Sequence, residues 1–390
     1  MRELVALFEQ EESRDELGIG AIRDAFSDRL FPGVSVIQSR ARYLVFIPWI
    51  YRDAAKRKPT VTQIRARAET QERRLIEALR RGGDVVGLLG RDAGVGLKIL
   101  PSAIYWTALQ KYGIVRQPGS LEVALRSSNA RAHIDEADEL AERSVGLWHP
   151  TLPDPPGHFF DFDEVTFAVS RDEATWLTER IIDQVPDSLH GYLLLHRIRP
   201  APHTDAPWFL PGLAKFPAEL QRVIEHARLF SVAIQGAALL YNLLLARRYT
   251  KVISSNGSAT VDRYEAAIAN WWADIGSDPA ITHWNYDEFW QILRRANPNV
   301  TRSTIEWVKK WLRAVADGTA EHAASDPQLA LLIIDRERAL KINKSRFIND
   351  RLLGAWKGSS GTEQLRYRWS NARVQIIDLL DGLEANRAGA

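Results

Sequence analysis

At 390 residues, with 45% hydrophobic and 9% aromatic content, the chain carries enough apolar surface for two or three ordinary domains, which excludes a disordered polymer. It has no cysteine, so disulfides, cysteine-ligated zinc, iron–sulfur clusters and thiol nucleophiles are excluded, and a reducing compartment suits it. The formal net charge of +2 hides a segregated pattern: residues 36–81 carry 12 Lys/Arg against 4 Asp/Glu, residues 131–190 carry 4 against 14, and residues 336–373 carry 10 against 3.

Two basic stretches around an acidic one suit contact with a polyanion through the former and with a basic partner through the latter. Solvated faces that neutralise one another on folding are the plain alternative. In chain order, Leu4, Leu7 and Phe8 mark an amphipathic helix ending near Ser13, without the long apolar run of a signal peptide. The expectation is a cytoplasmic protein. A second helix, 21–30, stops at the turn Phe31, Pro32, Gly33. Val34 to Ile37 reads as a strand or an extended lead-in, and the nine apolar or aromatic residues Tyr43 to Tyr51 as core. That run is far short of the roughly 20 residues needed to span a bilayer, and Pro48 is expected to kink or interrupt any helix there.

A charged helix follows over 62–81, then a glycine-rich link, then a helix opened by Pro101 and closed at Gly113. Its place as third in a helix, short helix, helix series resembles a helix-turn-helix. Pro150, Pro153, Pro155 and Pro156 mark a boundary; Ser170 with Glu173 has the capping-box spacing. The longest helical pattern runs over 217–249. Its 18 residues without charge between Arg228 and Arg247 match a membrane span in length, but Ser231, Gln235, Gly236 and Asn242 interrupt it and its flanks are charged. It is expected to be a buried core helix, with Asn242 needing an internal partner. Residues 261–318 hold tryptophan-rich helices (Trp271, Trp272, Trp284, Trp290, Trp307 and Trp311). These are core anchors first and base-stacking platforms second. Basic helices over 328–353 and a closing helix complete the chain.

Known chemical signatures fail. The glycines at 18 and 20 are followed by Arg23 where a dinucleotide fingerprint needs its third glycine, no phosphate loop reaches Gly-Lys-Ser/Thr, and there is no nucleophile elbow. His158, Asp161 and Asp163 are a sparse cation-binding possibility, more simply solvated loop carboxylates. Asp135, Glu136, Asp138 and Glu139 form a charge run. Arg143 and His149, with five residues between them, match the spacing of a metal-free ribonuclease pair, but Gly146 and Pro150 are poor in the helix that pairing needs.

Residues 14–24, Phe31 to Gly33, Arg40, Arg42 and Tyr43 with Pro48 and Trp49, Pro101 to Trp106, Gly236 to Asn242, and Tyr367 to Trp369 together resemble an uncharacterised bacterial family of unknown function across nearly the whole chain. That resemblance implies stand-alone intracellular proteins found among phage-defence and mobile genes, beside helicases, nucleases or ATPases, and it carries no catalytic residues.

The expected fold is mainly α, a multi-helix globular protein with few short strands and a helix-turn-helix or winged-helix-like N-terminal part. Its expected divisions are a basic helical domain at 1–118, an acidic proline-rich region at 119–216, and a tryptophan-rich domain with a basic C-terminal segment at 217–390. The expected function is a non-enzymatic nucleic-acid-binding or scaffold component of an anti-phage system. It contacts phosphates, DNA foremost, through Arg40, Arg42, Tyr43, Lys56, Arg57, Lys58, Arg366, Tyr367, Arg368, Trp369 and Arg373, and a helicase, nuclease or ATPase through the acidic middle. No cofactor, metal or membrane is expected. The alternatives are a nuclease, metal-dependent or metal-free, and a purely structural adaptor.

Overall fold

The computed structural model describes residues 15–57, 59–134, 146–163, 165–254 and 258–385. The helix expected around Leu4, Leu7 and Phe8, together with Lys58, Arg143 and the acidic run from Asp135 to Glu139, lies outside them. Among the described residues there are fifteen α-helices and no strand, with one isolated antiparallel bridge between Val115 and Trp148. The protein is thus mainly α, and residues 34–37 are no strand: 34–35 have no regular structure and 36–37 form a turn.

The chain forms two compact units that do not follow the linear division expected above. One takes Leu30–Asp205 and the stretch from Arg368 onward; the other takes the stretch up to Arg29 and Ala206–Tyr367. The C-terminal helix thus belongs with the first half of the sequence.

The first unit holds α2 (Tyr43–Ala54), α3 (Val61–Arg81), α4 (Pro101–Lys111), α5 (Leu121–Ile134), α6 (Arg171–Gln184), α7 (Leu189–Leu195) and α15 (Trp369–Glu384). Its centre is α2, on which α3 and α4 pack. Leu44, Val45, Phe46, Ile47, Trp49 and Ile50 have no exposed surface, each burial contributing about 2 kcal/mol. Phe46 stacks on Phe159 at 5.4 Å, Tyr43 lies 5.2 Å from both Tyr105 and Phe167, and the Trp49 indole donates to the Pro153 carbonyl at 2.7 Å. The helix runs through Pro48 rather than stopping there. Burial on every side outweighs the one backbone hydrogen bond that proline removes.

Local chemistry sets the ends of the neighbouring helices. Thr60 and Gln63 form a full capping box for α3, and Ser170 and Glu173 form one for α6. The helix-turn-helix expectation finds no support in α4. Its exposed positions are Ala103, Thr107 and Lys111, a narrow stripe on a helix whose other residues are buried or half-buried.

The second unit holds α1 (Gly20–Leu30), α8 (Ala218–Val252), α9 (Ser258–Gly276), α10 (Pro279–Thr282), α11 (Tyr286–Ala296), α12 (Arg302–Ala316), α13 (Pro327–Lys341) and α14 (Asp350–Gly354). Among the described residues α8 is the helix long and apolar enough to cross a membrane, and 78% of its apolar window is buried inside the protein, against α9, α12 and α13. Gly236 admits the Trp271 ring: a Cβ built there would lie 2.3 Å from it. Asn242 finds its partners in the Ala238 and Ser360 carbonyls, both at 2.8 Å. The indoles of Trp271, Trp307 and Trp311 donate to the main chain, that of Trp284 donates to His226, and all four are buried. None presents a face for a base.

Candidate nucleic-acid interface

Arg40 and Arg42 lead into α2 and both are engaged by carboxylates. Arg42 Nε and Nη2 grip the two oxygens of Glu173 at 2.9 Å each, and its Nη1 donates to the Thr166 carbonyl at 2.8 Å. Glu173 is also the capping-box residue of α6, so one carboxylate closes a helix and anchors the start of another. Arg40 Nε and Nη2 hold Asp378 of α15 at 2.9 Å and 2.8 Å, and the Ala41 amide donates to the same carboxylate at 2.9 Å. Burial raises the Asp378 carboxyl above its ordinary value although Arg40 opposes it. Removing one partner of such a pair costs about 3–5 kcal/mol because the other charge stays buried. These arginines are therefore corrected from phosphate contacts to internal ties. Tyr43 is fully buried, its hydroxyl accepting the Leu89 amide at 3.2 Å.

The segment around 367 is likewise internal. The Tyr367 hydroxyl donates to the Ala227 carbonyl at 2.7 Å within the second unit, and the Trp369 indole donates to the Thr204 carbonyl at 2.6 Å within the first. Both rings are 1% exposed, so neither can stack on a base. Arg368 donates to the Val34 carbonyl at 2.8 Å, and Arg373 to the carbonyls of Pro202 and Thr204 at 2.5 Å and 3.1 Å. Arg366 is half-buried. Much of the remaining C-terminal positive charge is also held inside the second unit. Arg336 donates to the Leu17 and Gly18 carbonyls, while Lys341 and Arg346 pair with Glu16, whose carboxyl they and Ser360 hold at about 2 against the opposing effect of burial.

Of the expected contacts, Lys56 and Arg57 remain at the surface. Lys56 pairs with Asp53 at 2.8 Å and lies 5.7 Å over Phe160, and Arg57 is exposed with φ of 66°. They adjoin α3, which carries the surface that sequence reasoning passed over. Ile64, Ala68, Leu75, Ile76 and Leu79 turn its apolar side inward. Arg67, Arg74 and Arg81, at intervals of seven, share one outer stripe and are exposed. Arg67 Nη1 reaches the Ala54 and Lys56 carbonyls at 3.5 Å and 3.4 Å, Arg74 lies 4.6 Å over the Phe162 ring, and Arg81 donates to the Phe162 carbonyl at 3.0 Å. None of the three has a carboxylate partner among the described residues. Fourteen residues of helix carry the stripe over about 21 Å, roughly six base-pair rises of duplex.

At its far end the stripe borders an open cleft of about 570 Å³ shared by Arg73, Arg74 and Arg81 with Glu77, Asp161 and Asp163. Those carboxylates offset part of the positive charge at that end of the stripe. The seven-residue spacing on an amphipathic helix is the signal in the sequence that would have found the stripe. Among the described residues no group of three His, Asp or Glu side chains is placed to hold a metal ion. His149 stands 3.1 Å from Arg180 of α6, a partner its sequence neighbourhood did not suggest.

No curated protein and no solved structure matches this chain. A model described as a family of unknown function, DUF6361, matches residues 1–382, and the chain belongs to that family.

Proposed function

We propose that this chain is a non-enzymatic nucleic-acid-binding component of a bacterial anti-phage system, holding the sugar–phosphate backbone along the outer face of α3. The observation that carries the reading is the stripe of Arg67, Arg74 and Arg81, three exposed guanidiniums on one helix without carboxylate partners among the described residues. Guanidinium groups match phosphate in geometry and stay charged at every working pH. Contacts of this kind position a protein on nucleic acid without reading its sequence, so binding is expected to be general and strongly salt-dependent. The defence role rests on the family resemblance, in which such proteins stand beside helicases, nucleases or ATPases, and a partner of that kind would act on the strand this chain holds. DNA is the first substrate to try.

The test is a mobility-shift titration on duplex DNA and single-stranded RNA over a range of salt. The triple variant Arg67→Ala, Arg74→Ala, Arg81→Ala is expected to bind more weakly. On duplex DNA its salt slope should be shallower by about 3, one unit for each phosphate that the variant no longer neutralises. Absence of binding at low salt, or a triple variant indistinguishable from the parent, refutes the proposal.

A further inference from the structure

The bridge between Val115 and Trp148 builds a second cationic site in the first unit, away from α3 in sequence. The Arg116 amide donates to the Leu147 carbonyl and the His149 amide to the Ile114 carbonyl, both at 2.9 Å. Side chains alternate along paired backbone, so Arg116 and His149 lie on one side of it as diagonal neighbours, about 7–8 Å apart. From α6, Arg180 Nη1 comes within 3.1 Å of His149 Nε2, its Nη2 donates to Asp183 at 2.6 Å, and its Nε is buried without a partner. A guanidinium only donates, so Nε2 of the neutral ring faces Arg180 as an acceptor. Nδ1 lies 3.3 Å from the Thr151 amide and 3.0 Å from the Thr151 hydroxyl, which the Trp176 indole holds by donating to it at 2.9 Å.

This neutral imidazole stands in conflict with its surroundings. A second proton would set an Nε2–H against the guanidinium N–H groups, with the exposed Arg116 adding to the repulsion. Burial, Arg180 and Arg116 accordingly hold His149 below its ordinary value. An oxyanion seated among the three would turn the repulsion into charge-assisted hydrogen bonds. Protonated His149, Arg180 and Arg116 against Asp183 leave two positive charges, the complement of a dianion rather than of a singly charged phosphodiester or carboxylate. We propose that Arg116, His149 and Arg180 bind a phosphate monoester, the terminal phosphate of a nucleotide or oligonucleotide, and that its binding is coupled to uptake of a proton by His149. The site shares no residue with the α3 stripe and stands whether or not that stripe holds nucleic acid.

The experiment follows the His149 ring resonance by NMR, assigned by its loss in His149→Gln, while pH is varied with and without thymidine monophosphate. Thymidine monophosphate is expected to raise the His149 midpoint by about one unit or more, equivalent to tenfold tighter binding on the acid side. Sulfate, a dianion throughout the range, should raise it too but by less than the nucleotide does, and thymidine should do nothing. Arg116→Ala, at an exposed position that folding does not need, should weaken binding about tenfold, the value of one hydrogen bond to a charged group. His149→Gln should still bind, with the His149-linked part of the pH dependence gone. If sodium chloride at equal ionic strength moves the midpoint as far as thymidine monophosphate does, or if Arg116→Ala binds like the parent, the proposal is overturned. Equal effects of inorganic phosphate and the nucleotide would confine recognition to the phosphate group and overturn the preference for an ester.

Discussion

Glu72 is a buried acid whose removal should leave a signature in the pH dependence of stability. It projects from α3 into the core of the first unit with no exposed surface. One carboxylate oxygen accepts the Ser102 amide at 2.8 Å, at the start of α4, and the other has no partner. Burial pushes its carboxyl up from an ordinary 4.5 to about 7, and the Ser102 amide and hydroxyl only partly oppose that. Between those two values the folded chain keeps a proton that the unfolded chain has released, so stability falls as pH rises. The slope is about 1.4 kcal/mol per unit. Stability is whole below about pH 4.5 and has lost on the order of 3 kcal/mol once pH passes the folded value. Glu72→Gln keeps the shape and removes the ionisation. The difference in unfolding free energy between variant and parent, from denaturant titrations followed by circular dichroism, should drift toward the variant by about 3 kcal/mol from pH 4 to pH 8. A difference independent of pH, or one drifting toward the parent, would refute the account of Glu72 as a buried and poorly solvated acid.

Two further substitutions probe the ties that hold each unit. Arg42→Ala leaves Glu173 buried without its guanidinium and should cost about 3–5 kcal/mol by the same denaturant titration, whereas Arg67→Ala on the open face of α3 should change stability by less than about 0.5 kcal/mol. Gly236→Ala forces a methyl against the Trp271 ring, which cannot swing away without breaking its 2.7 Å hydrogen bond to the Val232 carbonyl. A loss of about 1–3 kcal/mol is expected, read as a lower melting temperature, and an unchanged melt would contradict that packing.

The fold was legible where a residue's meaning is local. Ser170 and Glu173 announce the start of α6 by spacing alone, and Pro101 and Gly113 bracket α4, because capping and backbone freedom are decided within one turn of helix. The interrupted polarity of α8 was enough to place it in a core, since a helix apolar on all sides must be covered by something. The division into units was not legible. Trp369, Asn371 and Arg373 on α15 reach back to carbonyls at 36–38 and 202–204, and nothing in the local pattern of α15 says which segment it will meet.

The same distance explains why the internal partners of Arg40 and Arg42 could not be read from the sequence. Arg40 and Arg42 look free in sequence because their carboxylates lie 338 and 131 residues away. A run of positive charge therefore reports two different things at once. Beside an apolar run, as at Arg40 and Arg42, the guanidinium is drawn into the core with its counter-ion, because the chain that buries the neighbouring aromatics buries the stem of the arginine too. On the outer face of an amphipathic helix, as at Arg67, Arg74 and Arg81, the helical period holds the charge away from the core and leaves it for a ligand. Local density of charge cannot separate these cases, but its phase relative to the apolar residues can, and by that criterion Arg67, Arg74 and Arg81 on α3 are positive charge held out for a polyanion.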